Sequence, residues 1–212
     1  DDQGYGDLSC FGSKTIKSPN IDRLAEEGRK FTSFMVASPV CSPSRAALLT
    51  GCYPKRVGMH QHVLFPQSTK GLNASEHTIA DHLKGQGYAT ACFGKWHLGH
   101  LPEVLPTSNG FDTYFGIPYS NDMNHPDNKG KPKGGADGMD ILWKDPESTL
   151  TKWKTPLYED EKIIEVPVDQ RLITRRCTQK AIDFVTTHKD EPFFVYLPHS
   201  MPHIPLYVPD KV

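Results

Sequence analysis

Cys41-Ser42-Pro43-Ser44-Arg45 is the stretch of this sequence best suited to chemistry, and it runs unbroken into Ala46-Ala47-Leu48-Leu49-Thr50 and then Gly51. Pro43 suits the first turn of a helix, because its fixed φ is already helical and it has no N–H to leave unpaired. Ser42 or Ser44 can cap the free amides, and Gly51 supplies the stop. A helix start gathers unpaired N–H groups and a partial positive charge, which favours an anion, and Arg45 adds a planar cation one turn in. The stretch reads as a nucleophile beside an oxyanion site. Taken by itself, a cysteine at a helix start is more often a small core filler.

Further segments carry polar groups that could join it. Asp1-Asp2-Gln3-Gly4-Tyr5-Gly6-Asp7 sets two adjacent carboxylates ahead of a glycine-rich turn, which supplies hard oxygen ligands on a backbone able to fold round a cation. An acidic, solvated turn has the same composition. In Gly94-Lys95-Trp96-His97-Leu98-Gly99, Lys95 and His97 share a parity, so in an extended segment both leave one face and can converge on a small anion. An arbitrary Lys-x-His is ordinarily an exposed pair. Pro198-His199-Ser200-Met201-Pro202-His203-Ile204-Pro205 follows an apolar run, although histidines in proline-rich loops are commonly surface residues. Ser120 lies in the turn Gly116–Asp122, where a serine usually bonds its own backbone.

Together these segments resemble the type I sulfatases of the arylsulfatase-A-like kind. Cys-x-Pro-x-Arg continued by Ala-Ala-Leu-Leu-Thr-Gly is similar to the family signature, in which the cysteine is oxidised after synthesis to formylglycine. Asp-Asp-x-Gly-Tyr-Gly-Asp, Gly-Lys-Trp-His-Leu-Gly and His-x-x-x-His-x-Pro are similar to other site segments of that family, in register from Asp1 to about Pro205. The resemblance implies that Asp1, Asp2 and the modified Cys41 bind a calcium ion. It implies that Lys95 contacts sulfate, Arg45 helps to neutralise its charge and His97 works on the formylglycine. His203 would meet the substrate as sulfate ligand and proton donor, with His199 a second candidate in the same loop, and Ser120 would face the substrate.

The activity so implied is hydrolysis of sulfuric esters, on a sulfated small molecule or a sulfated glycan. A formylglycine-generating maturation enzyme would be a partner, and the location periplasmic, secreted or lysosomal. The same fold hosts phosphate and phosphonate ester hydrolases, and a chain with unconverted Cys41 could simply bind sulfated glycans. Both alternatives stay open at this point.

Such groups need a scaffold whose strands end near one another. The pattern predicts a short helix over 18–28 capped by Asn20, a strand over Phe31–Val36, and the helix that begins at Cys41. It continues with a helix over 78–84 capped from Ser75, a strand over Tyr88–Phe93 and a short aromatic strand before Gly116. A hairpin follows between Leu157 and Val166, then a helix from about Gln170 to His188 capped by Asp169, and the strand Phe193–Leu197. Ile173, Cys177, Ala181, Phe184 and Val185 recur at helical spacing, which makes Cys177 a core residue. From about 124 to 155 no period survives, and glycine and lysine predict a polar surface excursion.

Strands alternating with helices give an α/β class. By resemblance the fold is alkaline-phosphatase-like, a mixed, mostly parallel sheet flanked by helices. A parallel sheet normally sets a buried strand just before a polar turn such as Asp1–Asp7. Residues 1–212 are therefore expected to be the amino-terminal part of one catalytic domain, truncated so that its first strand and carboxy-terminal portion are absent. The family's remaining calcium ligands would lie past Val212.

Lys and Arg number 24 against 25 Asp and Glu, so the formal charge is -1 and no overall field favours nucleic acid or an anionic membrane. No apolar run approaches the length of a transmembrane helix. The five cysteines form no CxxC pair and no zinc pattern, and leave the redox compartment undecided.

Overall fold

The computed structural model describes residues 2–125 and 153–209. Its centre is a five-stranded mixed sheet in the order β4-β3-β2-β1-β5. The strands are β1 (Ala89–Lys95), β2 (Thr113–Ile117), β3 (Leu157–Glu159), β4 (Lys162–Glu165) and β5 (Phe193–Tyr196). Both neighbours of β1 run parallel to it, with Lys95 opposite Ile117 on β2 and Cys92 opposite Tyr196 on β5. β2, β3 and β4 pair antiparallel, and the β3–β4 hairpin turns at Asp160, whose φ is 50°.

Strand β1 is buried almost throughout because helices cover both faces of the sheet, and its side chains alternate between two cores. Cys92 points into a core with Ala46, Leu49, Trp96, Leu98, Phe111 and Tyr114. Ala91 and Phe93 point into the other, with Phe115, Ile117, Ile173, Cys177 and Ala181. The first core carries α2 (Cys41–Thr50) and α3 (Ile79–Lys84), and the second carries α4 (Ile173–Thr187). Cys177 is a core residue, as its spacing implies, and burial pushes its thiol up to about 12. β1 lies so close to β2 at Gly116 that this position cannot carry a side chain. A Cβ on Gly116 would lie 1.8 Å from the Gly94 carbonyl oxygen.

Several local expectations give way. Helix α1 (Pro19–Glu27) has Ser18 rather than Asn20 at its N-cap position. Helix α3 is capped by Thr78, not from Ser75: the Thr78 hydroxyl accepts from Asp81 N while the Asp81 carboxylate accepts from Thr78 N. Asp169 does not cap α4; its carboxylate accepts from the Arg171 backbone and pairs with the Arg171 guanidinium. The strand expected over Phe31–Val36 is irregular chain outside the sheet, with Phe31, Phe34, Met35 and Val36 exposed. An isolated strand has no ladder to hold it, and β-favouring side chains alone do not make one. Most of the expected excursion at 124–155 lies outside the described residues, as does Asp1.

Candidate active site

Parallel pairing brings the carboxyl ends of β1, β2 and β5 to one edge of the sheet, where open α/β folds hold their ligands. The lacing continues past the strand ends: Lys95 N donates to Pro198 O at 2.8 Å, Trp96 N to Ile117 O at 2.9 Å, and His97 N to Pro118 O at 3.1 Å. The three loops that carry Lys95 and His97, Ser120, and His199 to His203 are thereby tied together. Helix α2 is fastened to the same edge by Arg45, whose Nη1 donates to the Lys95 carbonyl and lies 3.5 Å from the Tyr196 hydroxyl.

Cys41 is the first residue of α2, which no side chain caps. It lines a cavity of about 670 Å³ whose walls include Asp2, Ser44, Arg45, His199 and Met201. The Lys95 ammonium donates to Cys41 Sγ at 3.3 Å and to Ser120 Oγ at 3.2 Å. Ser120 Oγ is in turn 3.2 Å from His203 Nε2, which stands 3.6 Å from Asp2 Oδ2. A chain of polar contacts thus links Cys41, Lys95, Ser120, His203 and Asp2. The residues named from sequence are gathered here, apart from Asp1, which lies outside the described residues.

Lys95 and His97 do come together, though not through strand parity. The strand ends at Lys95, and His97 adopts a left-handed backbone with φ 59°. Both are buried, at 0% and 1% exposure. Burial, reinforced by the Arg45 guanidinium, brings the Lys95 ammonium down from its usual 10.5 to about 8, against the pull of Cys41 and Asp122. Burial and the neighbouring Lys95 charge hold His97 well below the usual imidazole range. His203 is lowered by burial and Lys95, while Asp122 and Asp2 act the other way. Its Nδ1 lies 2.6 Å from the Ile204 carbonyl. A carbonyl only accepts, so Nδ1 carries the hydrogen and Nε2 is the atom that meets Ser120 and Asp2.

The family model described as Sulfatase matches residues 1–212. The chain belongs to the sulfatase family. It is 40% identical over 214 residues to arylsulfatase G of Mus musculus, covering 98% of this chain and 41% of that protein. It is 36% identical over 225 residues to N-acetylgalactosamine-6-sulfatase of Mus musculus, covering 98% of this chain and 39% of the relative. Among solved structures it resembles Ps i-CgsB in complex with k-i-k-neocarrahexaose, with a TM-score of 0.79 and 34% identity over 100% of this chain and 45% of the other. This sulfatase chain therefore spans about two fifths of the length of the curated relatives it matches.

A calcium ion takes about 6–8 oxygen ligands. Asp2 lines the cavity beside Cys41, but no group of three His, Cys, Asp or Glu gathers among the described residues of this sulfatase chain.

Sequence reasoning missed several parts of the site. Ser42 does not cap α2; its hydroxyl accepts from Leu64 N at 3.0 Å. Asp122 presses on Lys95 and His203 electrostatically, and nothing in its turn-forming context marked it. Asn121 and Gln170 form a buried clip in which Gln170 Nε2 donates to Asn121 O at 2.7 Å, and Asn121 Nδ2 lies 3.2 Å from Pro205 O. That clip joins the Ser120 and His203 loops from behind. Pairs 49 and 84 residues apart leave no local signal in a single sequence.

Proposed function

We propose that this chain carries the nucleophile half of the active site of a sulfuric ester hydrolase, and that Cys41 is converted to formylglycine. The observation that supports this most directly is the buried Lys95 ammonium touching both Cys41 Sγ and Ser120 Oγ at the mouth of α2. An anion that entered the cavity would meet the Arg45 guanidinium and an uncapped helix start beside Cys41, whose Sγ is in contact with the buried Lys95 ammonium. Hydrated formylglycine would supply a hydroxyl nucleophile at position 41, and calcium would polarise the sulfate oxygens. Asp1, Asp2 and the modified position 41 would hold the calcium with ligands from outside 1–212.

The chain's own residues then have distinct tasks. Lys95 and Arg45 offset the charge of the bound sulfate, and Ser120 fixes one of its oxygens. His203, when protonated on both ring nitrogens, gives the Nε2 proton to the departing alcohol and is left neutral with its hydrogen on Nδ1, and His97 accepts a proton through Nδ1 when the nucleophile is restored. A sulfated sugar is the substrate class we favour, since the N-acetylgalactosamine-6-sulfatase relative is named for one. We also infer that 1–212 is one part of a larger catalytic domain. The outer edge of β5 has no neighbouring strand among the described residues, and Phe31–Val36 exposes apolar side chains that a further element would cover.

The deciding experiment is the mass of the Cys41 peptide from native protein, joined to turnover of matched sulfate, phosphate and phosphonate esters. An aldehyde at position 41 with preference for sulfate is the expected result. A native thiol with binding of sulfated glycans and no turnover would sink the proposal, and so would preference for the phosphorus esters.

A further inference from the structure

Ser42 is fully buried at the start of α2 yet caps nothing there. Its Oγ instead accepts from Leu64 N at 3.0 Å, and the Leu64 carbonyl lies 2.9 Å from Nε2 of His97. A carbonyl oxygen has no proton to give, so the bond requires hydrogen on Nε2. In a neutral imidazole that leaves Nδ1 as a bare acceptor. Nδ1 is buried and has no hydrogen-bond partner among the described residues. Leu64 is thus held from both sides, by the residue next to Cys41 and by His97.

We propose that Ser42 is a positioning residue which, through the backbone of Leu64, fixes His97 as the Nε2–H tautomer and keeps Nδ1 open as the proton acceptor of the site. The helix turn bearing position 41 and the imidazole are both bonded to residue 64, so neither shifts without disturbing the other. The tautomer matters because a bare Nδ1 takes up a proton, whereas the alternative tautomer would offer one from the same place. Leu64 contributes only its backbone, so no side-chain chemistry at residue 64 marks the link. The effect on turnover rests on sulfate-ester cleavage at position 41; the tautomer itself does not.

The test is nitrogen-15 NMR of the intact protein with labelled histidine, read for the protonation of His97. In the wild type Nε2 should carry the proton and exchange slowly with water, while Nδ1 stays bare. Ser42→Ala should mix the two tautomers and lower kcat about tenfold with KM nearly unchanged, the loss of one buried hydrogen bond acting on a proton transfer. Ser42→Thr, which keeps the hydroxyl, should restore both. A wild-type His97 protonated on Nδ1 overturns the proposal without any variant, and so does Ser42→Ala with an unaltered His97 signal. If sulfate esters prove inert while Nε2 still holds its proton, the functional reading fails and the Ser42 link survives.

Discussion

Replacing Lys95 with methionine should leave the protein more stable and nearly inactive. The ammonium is fully buried, and its fall from the usual 10.5 to about 8 is the net penalty on the charged form, set by burial and the Arg45 guanidinium and already reduced by Cys41 and Asp122. At about 1.4 kcal/mol for each pH unit, that penalty is about 3 kcal/mol at neutral pH. The bond to Cys41 is already counted in that shift, and the bond to Ser120 stands against it at about 1 kcal/mol. Methionine has similar length and needs no partners, so Lys95→Met should gain about 2 kcal/mol at pH 7. The sign of the pH dependence is fixed by the same shift. Between about pH 8 and 10.5 the unfolded chain keeps a proton that the folded chain has released, so native stability rises with pH across that window. Lys95→Met should abolish this rise relative to wild type. Urea unfolding at pH 7 and at about pH 9.5 measures both quantities. Turnover of a sulfate ester should fall by about 100-fold or more, as when a preorganised charge is removed from an anion site. A variant that loses more than about 2 kcal/mol would show that the ammonium is a structural tie, and would refute the reasoning.

Gly116→Ala should cost about 3 kcal/mol or more, because the added Cβ meets the Gly94 carbonyl of a paired strand and backbone cannot yield; a thermal melt reads it. Gln170→Ala should destabilise by about 2 kcal/mol and raise KM for a sulfate ester more than it lowers kcat, since Asn121 O keeps only Thr155 as donor and the Asn121 side chain that reaches Pro205 O loses the Gln170 group that orients it. His97, held well below the imidazole range, makes the folded chain refuse a proton that the unfolded chain accepts below about pH 6.5. Stability should therefore fall on acidification from that pH, by up to about 1.4 kcal/mol for each pH unit, and His97→Gln should flatten the slope.

The parts of this structure legible in the sequence are those whose causes are local. Gly51 ends α2 in the left-handed region with its N–H on Ala47 O, which its position after Leu-Leu-Thr announces. The strand signal over Tyr88–Phe93 and the helical spacing of Ile173, Cys177 and Ala181 likewise reappear, as β1 and as one wall of the second core. Phe31–Val36 failed because strand propensity reports a side chain's fit to a sheet and not whether a neighbour exists. Lys95 and His97 were paired correctly on a mistaken ground, since the left-handed turn at His97 could not be seen in its side chain. The motif located Ser42 beside the nucleophile, but its partner Leu64 is 22 residues away, and the hydroxyl's use is decided by that fold-level encounter.

Arg45 shows how scaffold and chemistry share one side chain. From sequence it is a cation one turn into α2, available to an anion. In the fold its Nη1 is engaged by the Lys95 carbonyl and stands near the Tyr196 hydroxyl, which joins α2 to the ends of β1 and β5. The same guanidinium also depresses the Lys95 ammonium, while its side chain lines the cavity beside Cys41. Two cations of one sign are therefore held together in a buried place, where each raises the cost of the other. Backbone bonds at one end of the guanidinium and Cys41 and Ser120 at the ammonium offset part of that cost. An anion bound beside Cys41, as the proposed sulfate ester would be, would relieve part of the remainder by supplying negative charge near both cations. Under the proposed function, the repulsion between Arg45 and Lys95 would favour a sulfate ester, which carries one negative charge, over a neutral ester at this edge of the sheet.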